Sequence, residues 1–394
     1  MSRWWSIAAL GAALAVVLCA GIWLGGHPAQ LPSFLADRLV DDSAGLTAEA
    51  TELIEDNYFR PVGSGELSDA SLRGMVRELR RQHRDRFSDY FSPRALALFN
   101  EAISGRFSGV GLSVEQVKPG LRVDRVFPDS PAQEAGLKVG DVIVSVDGES
   151  IAGQSSQVST EKIKGPEGTA VTIGVRRPAG GVRELEIVRA QIALPVVTSR
   201  VERAGGKKLG YVRMASFSEG VHALLHNAVE KLQRKDVEGI VLDLRANGGG
   251  LLEEAVLSAS VFLPEGEVVV STESRTQGDA VYKTLGGNLP ALPMVVLIDR
   301  NTASAAEILT AALADDAGAE VIGTRSYGKG VFQQEIGLSN GGALKLTIGE
   351  YFTPQGVNLA RSRGVHPDVR AKDDPQTAPD EALDRALKVL AAQR

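Results

Sequence analysis

Ser304 and Lys329 stand 25 residues apart and are the two side chains of this sequence best suited to chemistry. Ser304 lies in Asn301-Thr302-Ala303-Ser304-Ala305-Ala306-Glu307, after the apolar run Met294 to Ile298 and before the Ala/Leu-rich stretch Ile308 to Leu313. The run reads as a buried strand and the stretch as a helix, which puts Ser304 at a strand-to-helix junction. Amides at a helix N-terminus point outward and favour negative charge. A serine there can be a nucleophile, with the amide of Ala305 stabilising an oxyanion. The simpler reading is an N-cap, since Ser304-x-x-Glu307 is a complete capping box. Lys329 follows in Ser326-Tyr327-Gly328-Lys329-Gly330-Val331-Phe332-Gln333. Alone it would be a solvated lysine in a Gly-rich loop; beside a serine it is a candidate base.

A histidine base is hard to find. His27 borders the apolar N-terminus and His83 sits in an Arg-rich stretch. His222 and His226 have i, i+4 spacing, yet Ala-Leu-Leu between them supplies no glutamate, so helix-surface or packing roles outweigh a metal site. His366, in Gly364-Val365-His366-Pro367-Asp368, is the one distant candidate for a triad. The GDSGG and GxSxG signatures are both absent. If Ser304 is catalytic, its base is a lysine.

The spacing of Ser304, Lys329 and Gln333 resembles that of the carboxyl-terminal processing peptidases, or tail-specific proteases. That family uses a serine nucleophile, a lysine general base and a glutamine that orients the lysine. Ile240 to Leu251 (IVLDLRANGGGL), Leu346 to Gly356 (LTIGEYFTPQG) and Gly364 to Asp368 (GVHPD) resemble further family motifs, in the same order. The family usually carries proline where this chain has Gly248, which loosens the turn without removing a functional group. The resemblance spans roughly residues 46 to 368. It implies no metal and no organic cofactor.

Between Gly105 and Ala190, short alternating runs broken by Gly and Pro read as a small β-rich module. Gly109-Val110-Gly111-Leu112, Ser130-Pro131-Ala132, Ala135-Gly136-Leu137 and Gly140-Asp141-Val142-Ile143 resemble a PDZ domain. By that resemblance Val110, Gly111 and Leu112 form the loop that holds a peptide's terminal carboxylate, and an added strand completes the contact. Arg189, at the module's exit, is a candidate for coupling ligand binding to the rest of the chain.

From Ile192 onward strands alternate with helix-like segments, the rhythm of an α/β core with a mostly parallel sheet. Ligand sites in such cores lie beyond the carboxyl ends of strands. Asn247-Gly248-Gly249-Gly250 and Asn301-Thr302-Ala303-Ser304 both fall there, so the second oxyanion donor is the amide of Gly249 or Gly250, with Gly250 preferred. The triple glycine lacks the Lys-Ser/Thr of a phosphate-binding loop. Asp380 to Gln393 reads as a short amphipathic helix with Leu383, Leu387 and Leu390 on one side.

Trp4 to Leu24 is a run of 21 residues without a charge, preceded by Arg3. As a helix it is about 31 Å long, enough to cross the hydrocarbon core. The preceding positive charge puts the N-terminus in the cytoplasm and the remainder outside. An uncleaved anchor is favoured over a signal peptide, whose small-x-small site is poor here. Either way the expected location is extracytoplasmic: membrane-tethered by a single pass, or secreted or periplasmic if cleaved.

The balance of 43 Lys plus Arg against 49 Asp plus Glu, with no basic run, argues against nucleic acid. Cys19 is the sole cysteine, so intramolecular disulfides are excluded. The expected organisation is an anchor or signal segment (1–29), a helical region (30–104), a PDZ domain (105–190), an α/β peptidase core (191–370) and a tail with a short helix (371–394). In the resembling family the helical region contributes to dimerisation, which makes a homodimer possible here. The implied partners are proteins with apolar, unstructured C-termini. Two other readings stay open: an inactive PDZ-type adaptor that only binds protein tails, and an α/β carrier of an apolar ligand. Only 5% aromatic residues weigh against the carrier.

Overall fold

The computed structural model describes residues 42–177, 180–374 and 378–393. The apolar run Trp4–Leu24 lies outside them; among the described residues no helix is long and apolar enough to cross a membrane.

The chain divides into two compact units after Ser92. The first holds helices α1 (Asp42–Asn57) and α2 (Ser64–His83) and the short strand β1 (Asp89–Phe91). Leu72, Val76 and Leu79 recur on one side of α2, and Arg80 and Arg81 in its last turn complement the helix dipole. The Tyr90 hydroxyl donates to Asp69 at 2.6 Å, tying β1 to α2.

The second unit opens with α3 (Pro93–Ser104), which has proline at its first position, where no amide partner is needed. A β-module follows: β2 (Arg106–Gly109), β3 (Leu112–Val117), β4 (Gly120–Val126), α4 (Pro131–Glu134), β5 (Val142–Val146), β6 (Glu149–Ser150), α5 (Ser156–Ile163), β7 (Ala170–Arg176), β8 (Val182–Val188) and β9 (Ala190–Ala193). Its antiparallel sheet runs β3-β4-β5-β7-β8, which leaves β3 on an edge, while β2 and β9 pair separately. In β4, buried Leu121 and Val123 alternate with exposed Arg122 and Asp124, the period of a half-buried strand. These side chains join Ile143, Ile151, Ile173 and others in the module's own core.

The remainder comprises β10 (Val197–Ala204), β11 (Lys207–Met214), α6 (Val221–Gln233), β12 (Ile240–Asp243), α7 (Leu252–Ser260), β13 (Val268–Ser274), β14 (Ala280–Lys283), β15 (Met294–Ile298), α8 (Ala305–Asp316), β16 (Glu320–Gly323), β17 (Val331–Gly337), β18 (Ala343–Phe352), β19 (Val369–Arg370) and α9 (Glu381–Ala392). The main sheet has the order β10-β11-β12-β15-β16-β19, with β10 antiparallel and the rest parallel. Every residue of β12 and β15 is buried, as a parallel strand covered on both faces must be. Helices α6, α7 and α8 pack on one face; α9 covers the other through Leu383, Leu387 and Leu390.

A second sheet, in which β17, β18, β13 and β14 pair antiparallel, is an addition that the βα rhythm does not announce. It brings Tyr351 into the main core. Loops from the carboxyl ends of β12, β15 and β16 converge beside it, and these carry the candidate residues.

Candidate active site

Ser304 is held in a backbone conformation that an L-residue rarely adopts, φ 58° and ψ −123°. Such a turn costs about 1–3 kcal/mol and persists only where the surroundings enforce it. The enforcement is visible upstream. Asp299, just past β15, accepts from the amides of Ala246, Asn301 and Thr302 at 2.9–3.0 Å, and the Thr302 hydroxyl donates to the Leu244 carbonyl at 2.9 Å. The chain thus makes a sharp strand-to-helix elbow without the GxSxG spelling.

Glu307 reaches back to the Ser304 amide at 2.8 Å, as a capping box requires. Its carboxylate does far more than cap. Fully buried, it also accepts from the amides of Gly328 (2.7 Å) and Lys329 (3.0 Å) and from the Ser326 hydroxyl. The amides of Ser304 and Lys329 share one oxygen, Oε2, so their backbones lie no further apart than two hydrogen bonds end to end. One side chain therefore staples the serine elbow to the lysine loop. The sequence supplied Glu307 only as a cap; the staple joins residues 22 apart and has no local signature.

Lys329 is mostly buried, and its ammonium is held down to a pKa of about 8. Burial is the main cause; the like charge of Lys345 adds to it, and Glu307 works in the opposite direction. At pH 7 this raises the neutral fraction from about one in 3,000 to about one in ten. The buried Tyr351 hydroxyl donates to the Lys329 carbonyl. Burial pushes the Tyr351 phenol well up, so it stays neutral. Tyr351 and Lys345 sit within or next to a motif quoted above, yet nothing in their local pattern marked them. Gln333, on β17, gives its side-chain amide to Thr347 Oγ1 at 3.3 Å across the bulged pair with β18.

Gly249 and Gly250 lie against the serine elbow. The Gly249 amide is already taken by Asn247 Oδ1 at 2.9 Å, whereas neither Gly250 nor Ala305 donates its amide to any acceptor among the described residues. Asn247 is itself fixed, its side chain donating to Met214 and its carbonyl accepting from Ala303. Gly250 is held by a bridge to Phe217. A Cβ at Gly249 (φ 94°) would lie 2.8 Å from Ser304 Cβ and 2.7 Å from the Ala303 oxygen. Gly249→Ala is expected to displace Ser304 and lower kcat by about 10²-fold. Rates corrected by active-site titration check this; an unchanged kcat would mean that the elbow tolerates the shift.

Other candidates lie elsewhere. His366 bonds the Ser362 carbonyl at 3.1 Å and makes no hydrogen bond to Ser304. His222 pairs with Glu254 on α7 at 2.8 Å, and no cluster of three or more metal-ligating side chains occurs among the described residues. Val110, Gly111 and Leu112 line an apolar groove between β3 and α5. Arg189 is buried; its guanidinium donates to the carbonyls of Lys162, Ile163 and Ala170 and to the Thr169 hydroxyl, all within the β-module.

The family model for peptidase family S41 matches residues 208–371, and that for the PDZ domain matches residues 122–177. The carboxy-terminal processing protease CtpA of Bacillus subtilis (strain 168) is 31% identical over 324 residues, which is 82% of this chain and 68% of that protein. The carboxy-terminal-processing protease of Bartonella bacilliformis is 34% identical over 329 residues, 81% of this chain and 72% of that one. Among solved structures, the photosystem II D1 C-terminal processing protease matches with a TM-score of 0.51 and 30% identity, over 90% of this chain and 98% of that chain. With a PDZ domain beside an α/β core of this kind, the chain belongs to the carboxy-terminal processing proteases of peptidase family S41 and is a serine-type peptidase.

Proposed function

We propose that this peptidase cuts protein substrates near their carboxyl ends with Ser304 as nucleophile and Lys329 as general base. The observation that carries the assignment is the pairing of a strained serine with a lysine held near neutrality, both stapled to Glu307. Neutral Lys329 takes the proton of the Ser304 hydroxyl as Ser304 Oγ attacks the carbonyl carbon. The free amides of Gly250 and Ala305 receive the oxyanion. Lys329 returns the proton to the leaving amine, then takes one from the water that releases the acyl group. The Gln333 carbonyl oxygen, with its amide nitrogen occupied by Thr347, is left to orient the lysine.

An apolar, unstructured tail is recruited by the PDZ domain. Support comes from the open edge of β3 beside an apolar groove of about 420 Å³, the arrangement that strand addition uses. The uncharged run Trp4–Leu24 supports an anchor that puts the catalytic region outside the cytoplasm, which membrane fractionation with protease protection tests. A homodimer rests on the family resemblance alone, and sedimentation tests it.

The deciding experiment offers the purified full-length chain an unfolded protein with an apolar tail, and the same protein with a charged tail. Cleavage favouring the apolar tail, lost in Ser304→Ala, is the expected result. Tail binding without cleavage by the native chain would turn the reading to an adaptor.

A further inference from the structure

Helix α3 touches three parts of the chain: the groove, Lys345 on β18 and the segment before α6. Toward the groove, Leu98 and Ala102 stand with Phe107, Leu112, Val114 and Ile163 around the space for the tail. Leu98 is 55% exposed, an apolar side chain left uncovered beside a groove of the same character. Two ion pairs fasten the helix to α5 and to the residue just past its end, Arg94 with Glu161 and Glu101 with Lys164, the latter at 2.8 Å. The Lys164 ammonium also lies 5.4 Å from the centre of the Phe107 ring.

One residue along, Phe99 turns to the core. The Lys345 ammonium lies 5.2 Å from the centre of its ring, within cation–π range. Lys345 is on β18, from where its charge bears on Lys329. At the helix's end, the Ile103 carbonyl accepts from the Glu219 amide at 3.0 Å. Two residues earlier, Phe217 exchanges backbone bonds with the glycine loop, its amide donating to Gly249 and its carbonyl accepting from Leu251.

We propose that α3 is shared between tail recognition and catalysis: Leu98 and Ala102 form a wall against which the tail's apolar side chains pack, while Phe99 is a positioning residue that holds Lys345 beside Lys329. This rests on the tail-cutting reading given above. It assigns the physical link between groove and catalytic groups to α3. Arg189 has its bonds inside the module. A tail that presses on Leu98 moves the helix that carries Phe99, and with it the Lys345 charge. Contact alone is not coupling, so both halves need a readout.

The wall is tested by titrating a labelled peptide with an apolar C-terminus into the full-length Ser304→Ala protein. Adding Leu98→Ala is expected to raise Kd about fivefold to tenfold. An unchanged Kd would remove Leu98 from the site. The positioning role is tested by Phe99→Leu, which keeps apolar packing and loses the ring, with Phe99→Tyr as the rescuing variant. Among the described residues, the charges of Lys345 and Glu307 bear on the Lys329 ammonium, and the Tyr351 hydroxyl meets its carbonyl. With Lys345 released, its repulsion weakens, Lys329 keeps its proton to higher pH, and the rising limb of kcat against pH moves up by about half a unit. Phe99→Tyr should return it, and peptide Kd should stay within about twofold in both. A limb unmoved by Phe99→Leu, with binding intact, would overturn the positioning role. If the native chain cuts nothing while Leu98→Ala still weakens binding, the peptidase reading fails and the wall stands.

Discussion

Lys329→Met is expected to give a chain that cuts peptide bonds at a barely measurable rate and resists denaturant better than the native protein at pH 7. Loss of the base is expected to reduce kcat/KM by at least ~10⁴-fold, as when a member of a nucleophile–base unit is removed. The gain in stability has the same origin as the activity. Burial and the Lys345 charge lower the Lys329 pKa from 10.5 to about 8, so at pH 7 the folded protein carries a proton it holds poorly. Such a shift corresponds to roughly 3–4 kcal/mol, and to ~1–2 kcal/mol once the partial exposure of the site is allowed for. The unfolded chain keeps its proton up to the ordinary lysine value, the folded chain only to about 8. Between those pH values the unfolded state binds more protons, so this lysine's contribution to stability rises with pH. Below about 8 its destabilising effect is present in full. Urea unfolding at pH 7 and pH 10 should therefore show the variant's advantage shrinking at the higher pH, while native cleavage rises through about pH 8. An advantage of equal size at both pH values would mean that Lys329 is not buried as a destabilised cation.

Glu307→Ala should cost both the fold and the reaction. It leaves the amides of Ser304, Gly328 and Lys329 and the Ser326 hydroxyl without their buried acceptor. Unsatisfied groups of this kind cost about 1–3 kcal/mol each, and relaxation recovers part, so a loss of roughly 3–6 kcal/mol is expected. Thermal unfolding reads that loss. Glu307→Gln separates the two roles, because it keeps the volume but exchanges one acceptor oxygen for a donor. Its kcat should fall about 10- to 100-fold through misplacement of Ser304 and Lys329. Loss of the negative charge also removes the one influence that raises the Lys329 pKa, so the rising limb should move below about 8. A Glu307→Gln protein with native kcat and an unmoved limb would show that the staple does not govern the geometry.

Much of this protein was legible from local pattern. The runs MVVLI and IVLD are apolar at nearly every position, which suits only a strand covered on both faces, and both are central strands. Leu383, Leu387 and Leu390 share one helical face, and that face packs on the sheet. The glycine-rich turn and the serine junction follow their strands, so their place at the carboxyl edge followed from chain direction. Motif order disclosed the peptidase family and its PDZ domain, because types and spacing are properties of sequence. What sequence could not decide is which distant groups meet. Glu307 reads as a cap, since its nearest partner is three residues away; only the folded chain brings residues 326 to 329 onto the same carboxylate. Lys329 reads as a candidate base that burial must bring toward neutrality; the second lysine that also lowers its pKa, on another strand, has no local signature. Gly250 is already preferred over Gly249 from the sequence as the second oxyanion donor; the physical ground, the Asn247 side chain occupying the Gly249 amide, is visible only in the folded chain. Helix α3 carried no chemical signal in the sequence, because its contacts with the groove, with Lys345 and with Glu219 run to three separate parts of the chain. Local periodicity is written into adjacent residues, whereas electrostatics and hydrogen-bond satisfaction act through space and wait on the tertiary structure.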